Sequence, residues 1–257
     1  MTGGDRPVAL VTGGARGLGR EIVAAFGAAG YSVATCGRRQ PEPPPAGAEF
    51  RVCDVRDPDQ VASLVSAVSD RFGRIDVVVN NAGGTPYADA ATLSPRLFER
   101  VVALNLLGPF YVAQQANRVM QGQEGGGVIV NIGSTAAIRP APGSAAYVAA
   151  KSAVTGLTRA LALEWAPKVR VVQVTPGLMR TELVGETYGL DPDAVAATVP
   201  AGRFGRGADV AAACLALCRP GMEYVTGSEL VVDGGGETPA WLLAFRPGAV
   251  AGNGEQE

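Results

Sequence analysis

The sequence predicts an α/β protein with a doubly wound, seven-stranded parallel sheet covered by helices on both faces. Two observations carry this expectation. Short Val/Ile-rich runs alternate with longer Ala/Leu-rich segments, and a glycine-rich turn follows the first run directly. The 257 residues are 47% hydrophobic and 18% charged, enough to bury a sizeable core without disulfides or a metal. Repeated strand–helix units account for that length in one domain spanning 1–257.

The strand candidates are VALV at 8–11, YSVATC at 31–36, FRVC at 50–53, IDVVVN at 75–80, VIVNI at 128–132, VRVVQV at 169–174 and ELVV at 229–232. Segments near 17–29, 58–72, 94–121, 144–165 and 208–219 are long enough for the helices between them. Such alternation implies right-handed crossovers that cover both sheet faces. The second crossover is different: RRQPEPPPAGAE at 38–49 carries four prolines and reads as an exposed loop.

Charge and residue usage exclude several function classes. A formal charge of −2 and a pI near 5.4 lack the broad basic surface that nucleic-acid binding needs. No apolar run has signal-peptide or membrane-span length, so we expect a cytoplasmic protein without a membrane partner. Histidine is absent, which rules out a histidine-assisted zinc or Ser-His-Asp mechanism. Cys214 and Cys218 lie one helical turn apart, but their Ala/Leu surroundings favour buried structural thiols over ligands, and no metal is expected. Without histidine, proton transfer falls to Tyr, Lys, Cys, Asp or Glu with a shifted pKa.

The first chemical motif is TGGARGLG at 12–19, between the opening strand and a helix. Gly13 permits a tight turn, Gly17 admits a pyrophosphate close to backbone, and Gly19 lets the helix pack on the sheet with its N-terminal amides facing the anion. The second is YVAAK, where Tyr147 and Lys151 are four apart and share one helix face. A nearby ammonium favours the phenolate, so Lys151 is expected to lower the Tyr147 pKa toward the working range. A packed aromatic beside a solvated charge is the bland alternative. Ser134, thirteen residues earlier at a strand end, and the upstream glycine loop weigh against it.

Taken together, Thr-Gly-x-x-x-Gly-x-Gly at 12–19, NNAG at 80–83, Asn105 in VALNLLG, Ser134, YVAAK and Pro176-Gly177 resemble the short-chain dehydrogenase/reductase family, and its 3-oxoacyl-carrier-protein reductases in particular. The likeness runs from about residue 7 to Gly235, in order. It implies a Rossmann-type fold and an NAD(P)-dependent enzyme interconverting a carbonyl and a secondary alcohol. By the same resemblance Tyr147 donates the proton, Ser134 hydrogen-bonds the carbonyl oxygen, Lys151 holds the nicotinamide ribose, and Asn105 supports a relay water. The alternatives for Ser134 and Asn105 are a turn residue and a local helix bond.

The resemblance also implies cofactor contacts from Gly13, Arg16, Gly17, Leu18 and Gly19 in the loop, Arg38, Asp54 and Val55 on the adenosine side, and Asn81, Ala82 and Gly83 in the NNAG turn. Small residues in that turn, with Asn80 opening it, permit close backbone approach. Tyr147, Lys151, Pro176, Gly177 and Thr181 complete the nicotinamide side. An NAD-specific site wants an acidic residue after the second strand, where this chain has Gly37 and then Arg38. With Arg16, that favours NADP(H), leaving NAD(H) as the second choice; either arginine read as a solvated surface charge is the bland reading.

Residues 182–206 read as a substrate lid and 237–257 as a C-terminal extension containing the apolar WLLAF at 241–245, expected to pack on its own subunit or a neighbour. Val172 stands where the family often has Asn. The expected substrate is a small-molecule hydrophobic carbonyl or alcohol. A 3-oxoacyl thioester comes first, with a hydroxysteroid or other lipid alcohol as the alternative. Arg159, Lys168 and Arg170 are candidates for docking an acidic carrier protein, or plain surface charges. A homotetramer follows from the resemblance. A non-catalytic dinucleotide sensor on the same fold would be marked by loss of Tyr147 or Lys151, and both are present.

Overall fold

A computed structural model describes residues 6–180 and 192–237. Seven parallel strands form one sheet: β1 (Val8–Thr12), β2 (Ser32–Gly37), β3 (Ala48–Val52), β4 (Val77–Asn80), β5 (Gly127–Ile132), β6 (Val169–Pro176) and β7 (Glu229–Val232). Their order is β3-β2-β1-β4-β5-β6-β7. The chain works outward from β1 to β3, then returns to place β4 on the other side of β1. That reversal opens a crevice at the carboxyl ends of β1 and β4.

The two-residue strand period sorts side chains onto the two faces. Val8 and Leu10 join a core with Ala34, Val78, Ile129 and Val171, whereas Ala9 and Val11 join one with Val33, Val79, Val130 and Val172. Helices α2 (Pro58–Phe72), α4 (Gly108–Gly122) and α5 (Ala145–Trp165) cover the first face; α1 (Gly17–Ala28) and α7 (Gly207–Leu217) cover the second. The helix α2 shows the local logic. Asp57 caps its N-terminus by accepting from the Asp59 and Gln60 amides, Pro58 occupies its first turn, and Gly73 ends it in the left-handed conformation. Val61, Leu64, Val65 and Val68 bury one stripe, each contributing roughly 1.5–3 kcal/mol.

The segment expected as one helix over 94–121 is interrupted. Helix α3 (Pro95–Val102) passes into a π-helical turn, Ala103–Leu107, before α4 begins. Pro109 supplies the reason: it has no N–H for the Asn105 carbonyl four residues back, and its ring crowds that carbonyl, so the turn widens. The prolines expected to break the second crossover do so, and β3 begins at Ala48, inside the predicted loop. A short helix, α6 (Pro192–Ala196), falls within the expected lid. Residues 182–191 of that lid and 238–257 of the extension lie outside the described residues. Val172, the departure from the family pattern, is fully buried in apolar surroundings. No helix among the described residues is long and apolar enough to cross a membrane.

Candidate active site

The candidate residues gather at the carboxyl edge of the sheet because each follows a strand. Gly13 follows β1, Arg38 β2, Asp54 β3, Asn81 to Gly83 β4 and Ser134 β5, while Pro176 ends β6. Gly17 has φ +51° with open space where a side chain would project, and Arg16 stands at the N-cap position of α1 beside it. A side chain at Gly19 would overlap the Gly13 carbonyl, so that glycine serves the close helix–strand approach. Arg16 and Arg38 are exposed at this rim.

Thr12, a residue the sequence reading gave no role, fastens the loop to β4. Its hydroxyl accepts from the Asn81 and Ala82 amides at 3.1 and 3.0 Å and reaches the Val79 carbonyl at 3.4 Å. The only signal was its place as first residue of the glycine motif. Asn81 returns the tie, donating its side-chain amide to the Thr12 and Gly13 carbonyls at 2.9 and 3.3 Å. Asn80, expected to open the NNAG turn, is 2% exposed and points inward, donating to the Pro109 carbonyl and to Asn131 Oδ1. Val55 is buried, with Gly108 close against it, so any cofactor contact there falls to its backbone. The Asp54 carboxylate is gripped by Arg56 through Nε at 2.9 Å and Nη2 at 2.5 Å, which holds its pKa below the usual carboxylate value. Leu18 packs partly on the core, and Thr181 lies outside the described residues.

The π-helical turn aims Asn105 at the crevice floor. Fully buried, it accepts from the Gly84 amide at 3.0 Å and donates to the Gly84 and Val101 carbonyls at 2.8 and 2.9 Å. A Cβ on Gly83 would lie 2.8 Å from Asn105 Oδ1 and 3.6 Å from Lys151 Nζ. Gly83, Asn105 and Lys151 therefore converge on one point. Lys151 is 3% exposed; its Nζ donates to the Ile132 carbonyl at 2.7 Å and stands 5.7 Å from the Tyr147 ring centre. Desolvation pushes that ammonium from 10.5 down to about 8. The helix spacing thus brings Tyr147 and Lys151 together as expected, with the lysine buried rather than solvated.

Ser134 stands at the end of β5, its hydroxyl accepting from the Ala136 amide at 3.2 Å, so its turn-capping geometry is real. Behind it, a Cβ on Gly133 would meet Gln173 Nε2 and Thr175 Oγ1, both at 2.5 Å. Those two side chains join Thr155 and Glu229 in a hydrogen-bonded cluster that backs the strand end. Nothing in the sequence alone marked that cluster. At the start of α5, an apolar groove of about 320 Å³ is lined by Ala90, Leu93, Pro95, Phe98, Glu99 and Ala145, two residues before Tyr147. The basic residues considered for carrier docking divide, Arg159 being exposed on α5. Lys168 is spent on the Gln121 and Gln123 carbonyls, and Arg170 on those of Leu217 and Val225.

Comparison with known proteins shows the family. A family model described as enoyl-(acyl carrier protein) reductase matches residues 13–237. The chain is 36% identical over 239 residues to a 3alpha-hydroxysteroid dehydrogenase of Mediterraneibacter gnavus, covering 88% of this chain and 95% of the relative. It is 33% identical over 238 residues to a 3-oxoacyl-[acyl-carrier-protein] reductase of Thermotoga maritima, covering 89% and 96%. Among solved structures, an actinorhodin polyketide ketoreductase with NADPH superimposes with a TM-score of 0.84 at 35% identity, covering 91% of this chain and 98% of that one. The chain belongs to the short-chain dehydrogenase/reductase family. It is accordingly an NAD(P)-dependent oxidoreductase acting on CH–OH groups.

Proposed function

We propose that this single-domain enzyme uses NADP(H) to interconvert a carbonyl and a secondary alcohol on a hydrophobic substrate. A 3-oxoacyl thioester is the first candidate and a hydroxysteroid the alternative. The observation that carries the reading is Lys151, buried at the crevice floor, held by the Ile132 carbonyl and facing Tyr147. The crevice fits a dinucleotide: open space at Gly17, the α1 N-terminus, and a side-chain-free Gly83 above Asn105 and Lys151. The nicotinamide supplies or accepts the hydride when bound. Lys151 would hold its ribose, Asn81 to Gly83, Pro176, Gly177 and Thr181 its nicotinamide end, and Gly13, Leu18, Asp54 and Val55 the adenosine half.

In the reducing direction, the Ser134 hydroxyl donates to the substrate carbonyl oxygen and Tyr147 gives its proton to the alkoxide that develops there. The Lys151 ammonium stabilises the phenolate left behind and, near its shifted pKa, exchanges a proton close to neutral pH. Asn105 holds Gly84 and with it the turn that closes over this point. Arg16 and Arg38, exposed at the adenosine rim with no acidic residue beside Gly37, suit a 2′-phosphate, which supports NADP(H) over NAD(H). The apolar groove beside Ala145 supports a hydrophobic substrate, and the engagement of Lys168 and Arg170 with backbone favours a small molecule over a docked carrier protein.

The reading places the enzyme in the cytoplasm as a homotetramer. Leu163 on α5 is 84% exposed and Leu107, in the π-helical turn, is partly so, apolar area that subunit contact would cover. Equilibrium sedimentation showing only monomer at micromolar concentration refutes the assembly. The activity is tested by NADPH oxidation with a 3-oxoacyl thioester, a ketosteroid, a small diketone and an enoyl thioester. Turnover of carbonyls supports the proposal; turnover of the enoyl thioester alone overturns it.

A further inference from the structure

We propose that Gln173 is a positioning residue, holding the end of β5 against α5 so that the Ser134 hydroxyl keeps its register with the Tyr147–Lys151 pair. The inference rests on the function proposed above. Gln173 lies on β6 between its two sheet neighbours, opposite Asn131 on β5 and Glu229 on β7. It is 1% exposed, and its Nε2 donates to Thr155 Oγ1 on α5 at 3.0 Å.

Lys151, Thr155 and Thr158 fall on one stripe of α5, at intervals of four and three residues. Each makes a polar tie to the sheet. Lys151 Nζ donates to the Ile132 carbonyl at 2.7 Å, Thr155 accepts from Gln173, and Thr158 Oγ1 accepts from Asn131 Nδ2 at 2.9 Å. The peptide joining Ile132 to Gly133 is held at both ends, since the Gly133 amide donates to the Val174 carbonyl on β6 at 2.8 Å. A Cβ on Gly133 would lie 2.5 Å from Gln173 Nε2 and from Thr175 Oγ1, so these two side chains fill the space beside the residue before Ser134. Gln173 therefore bears on α5 one turn from Lys151 and on β5 one residue from Ser134. Ser134 and Tyr147 are assigned to the same substrate oxygen, and a displacement near 1 Å between such groups costs up to about 100-fold in rate.

The cluster around Gln173 serves register at the expense of stability. Glu229 Oε1 fixes its far side, accepting from Gln173 Nε2 at 3.0 Å and from Thr175 Oγ1 at 2.5 Å, and Nε2 also reaches Thr175 Oγ1 at 2.9 Å. Three acceptors thus share the two protons of one amide, while Gln173 Oε1 has no hydrogen-bond partner among the described residues. A buried acceptor left empty costs stability that an apolar side chain of similar size would recover. Methionine at this position separates the two roles. It fills the space and removes the orphaned oxygen, but it cannot hold Thr155.

Gln173→Met, Thr155→Val and Thr155→Ser test this with NADPH and a small diketone. Gln173→Met is expected to keep the melting temperature and NADPH affinity of the parent and to lower kcat about tenfold with KM little changed. Thr155→Val, which keeps the shape, should lower kcat about threefold, and Thr155→Ser, which keeps the hydroxyl, should restore it. A Gln173→Met kcat within about twofold of the parent, or Thr155→Ser as slow as Thr155→Val, overturns the proposal and leaves the cluster structural. The Thr155 pair decides the matter alone if Gln173→Met does not fold. A readout free of turnover separates this from failure of the functional reading. The chain has two lysines, Lys151 and Lys168, and Lys168 precedes β6 at its opposite end. Carbon NMR of lysine labelled at Cε should show the Lys151 resonance moved in Gln173→Met and in Thr155→Val, with Lys168 unmoved. An unmoved Lys151 resonance overturns the positioning role even if no carbonyl is reduced. A moved one in a protein that reduces no carbonyl upholds the tie and refutes the functional reading instead.

Discussion

Replacing Lys151 by Met separates the energetic cost of the buried ammonium from its chemical use. Burial pulls this lysine from 10.5 to about 8. Because the folded value lies below the unfolded one, the unfolded chain holds the extra proton between about pH 8 and 10.5, and stability rises with pH across that window. At pH 7 the charge costs the folded state on the order of 3 kcal/mol. Methionine removes that cost but strips the Ile132 carbonyl of its 2.7 Å donor, a loss of about 1–3 kcal/mol. The two effects nearly offset, so Lys151→Met is expected to unfold within about 2 kcal/mol of the parent at pH 7 while losing turnover. At pH 10 the parent has shed most of its penalty and should gain on the order of 2 kcal/mol on the variant. Urea unfolding followed by circular dichroism at both pH values measures this. A difference between parent and variant that stays flat from pH 7 to 10 refutes the burial argument.

Gly83→Ala places a methyl group 2.8 Å from Asn105 Oδ1 and should weaken NADPH binding at least about tenfold by fluorescence titration, with unfolding changed by no more than about 1–3 kcal/mol. Arg38→Asp should invert cofactor preference, lowering kcat/KM for NADPH about 100-fold while NADH holds or improves; equal losses with both would remove Arg38 from the 2′-phosphate site. Burial pushes the Cys218 thiol up to about 12 and the Cys214 thiol higher still, so neither should react with iodoacetamide at pH 8 in the folded protein, as peptide mapping will show.

The middle of the sheet was legible in the sequence because strands such as β1, β4 and β6 are buried on both faces and read as Val-rich runs, whereas the edge strands β3 and β7 are only partly buried. Glycine spacing and the Tyr147–Lys151 interval placed the crevice for the same reason: both are local patterns read within one turn or one helix face. What escaped the reading is set by contacts between distant segments. Pro109 was visible, yet its effect on Asn105 passes through a widened helical turn. Asn80 reads as a turn residue until Asn131 and Pro109 are found beside it in space. Arg139 and Asp233, 94 residues apart, meet only because β5, β6 and β7 are neighbours. Charge count alone likewise cannot tell a free cation from Arg170, whose guanidinium closes two backbone carbonyls.

The central claim is that Tyr147 is the proton donor on a dinucleotide-binding crevice, and single-turnover NADPH oxidation by the parent and Tyr147→Phe tests it most directly. We expect the variant to bind NADPH with unchanged affinity and to lose at least about 1000-fold in the rate of carbonyl reduction. A variant that reduces the same ketone at a rate within a few fold of the parent contradicts the account.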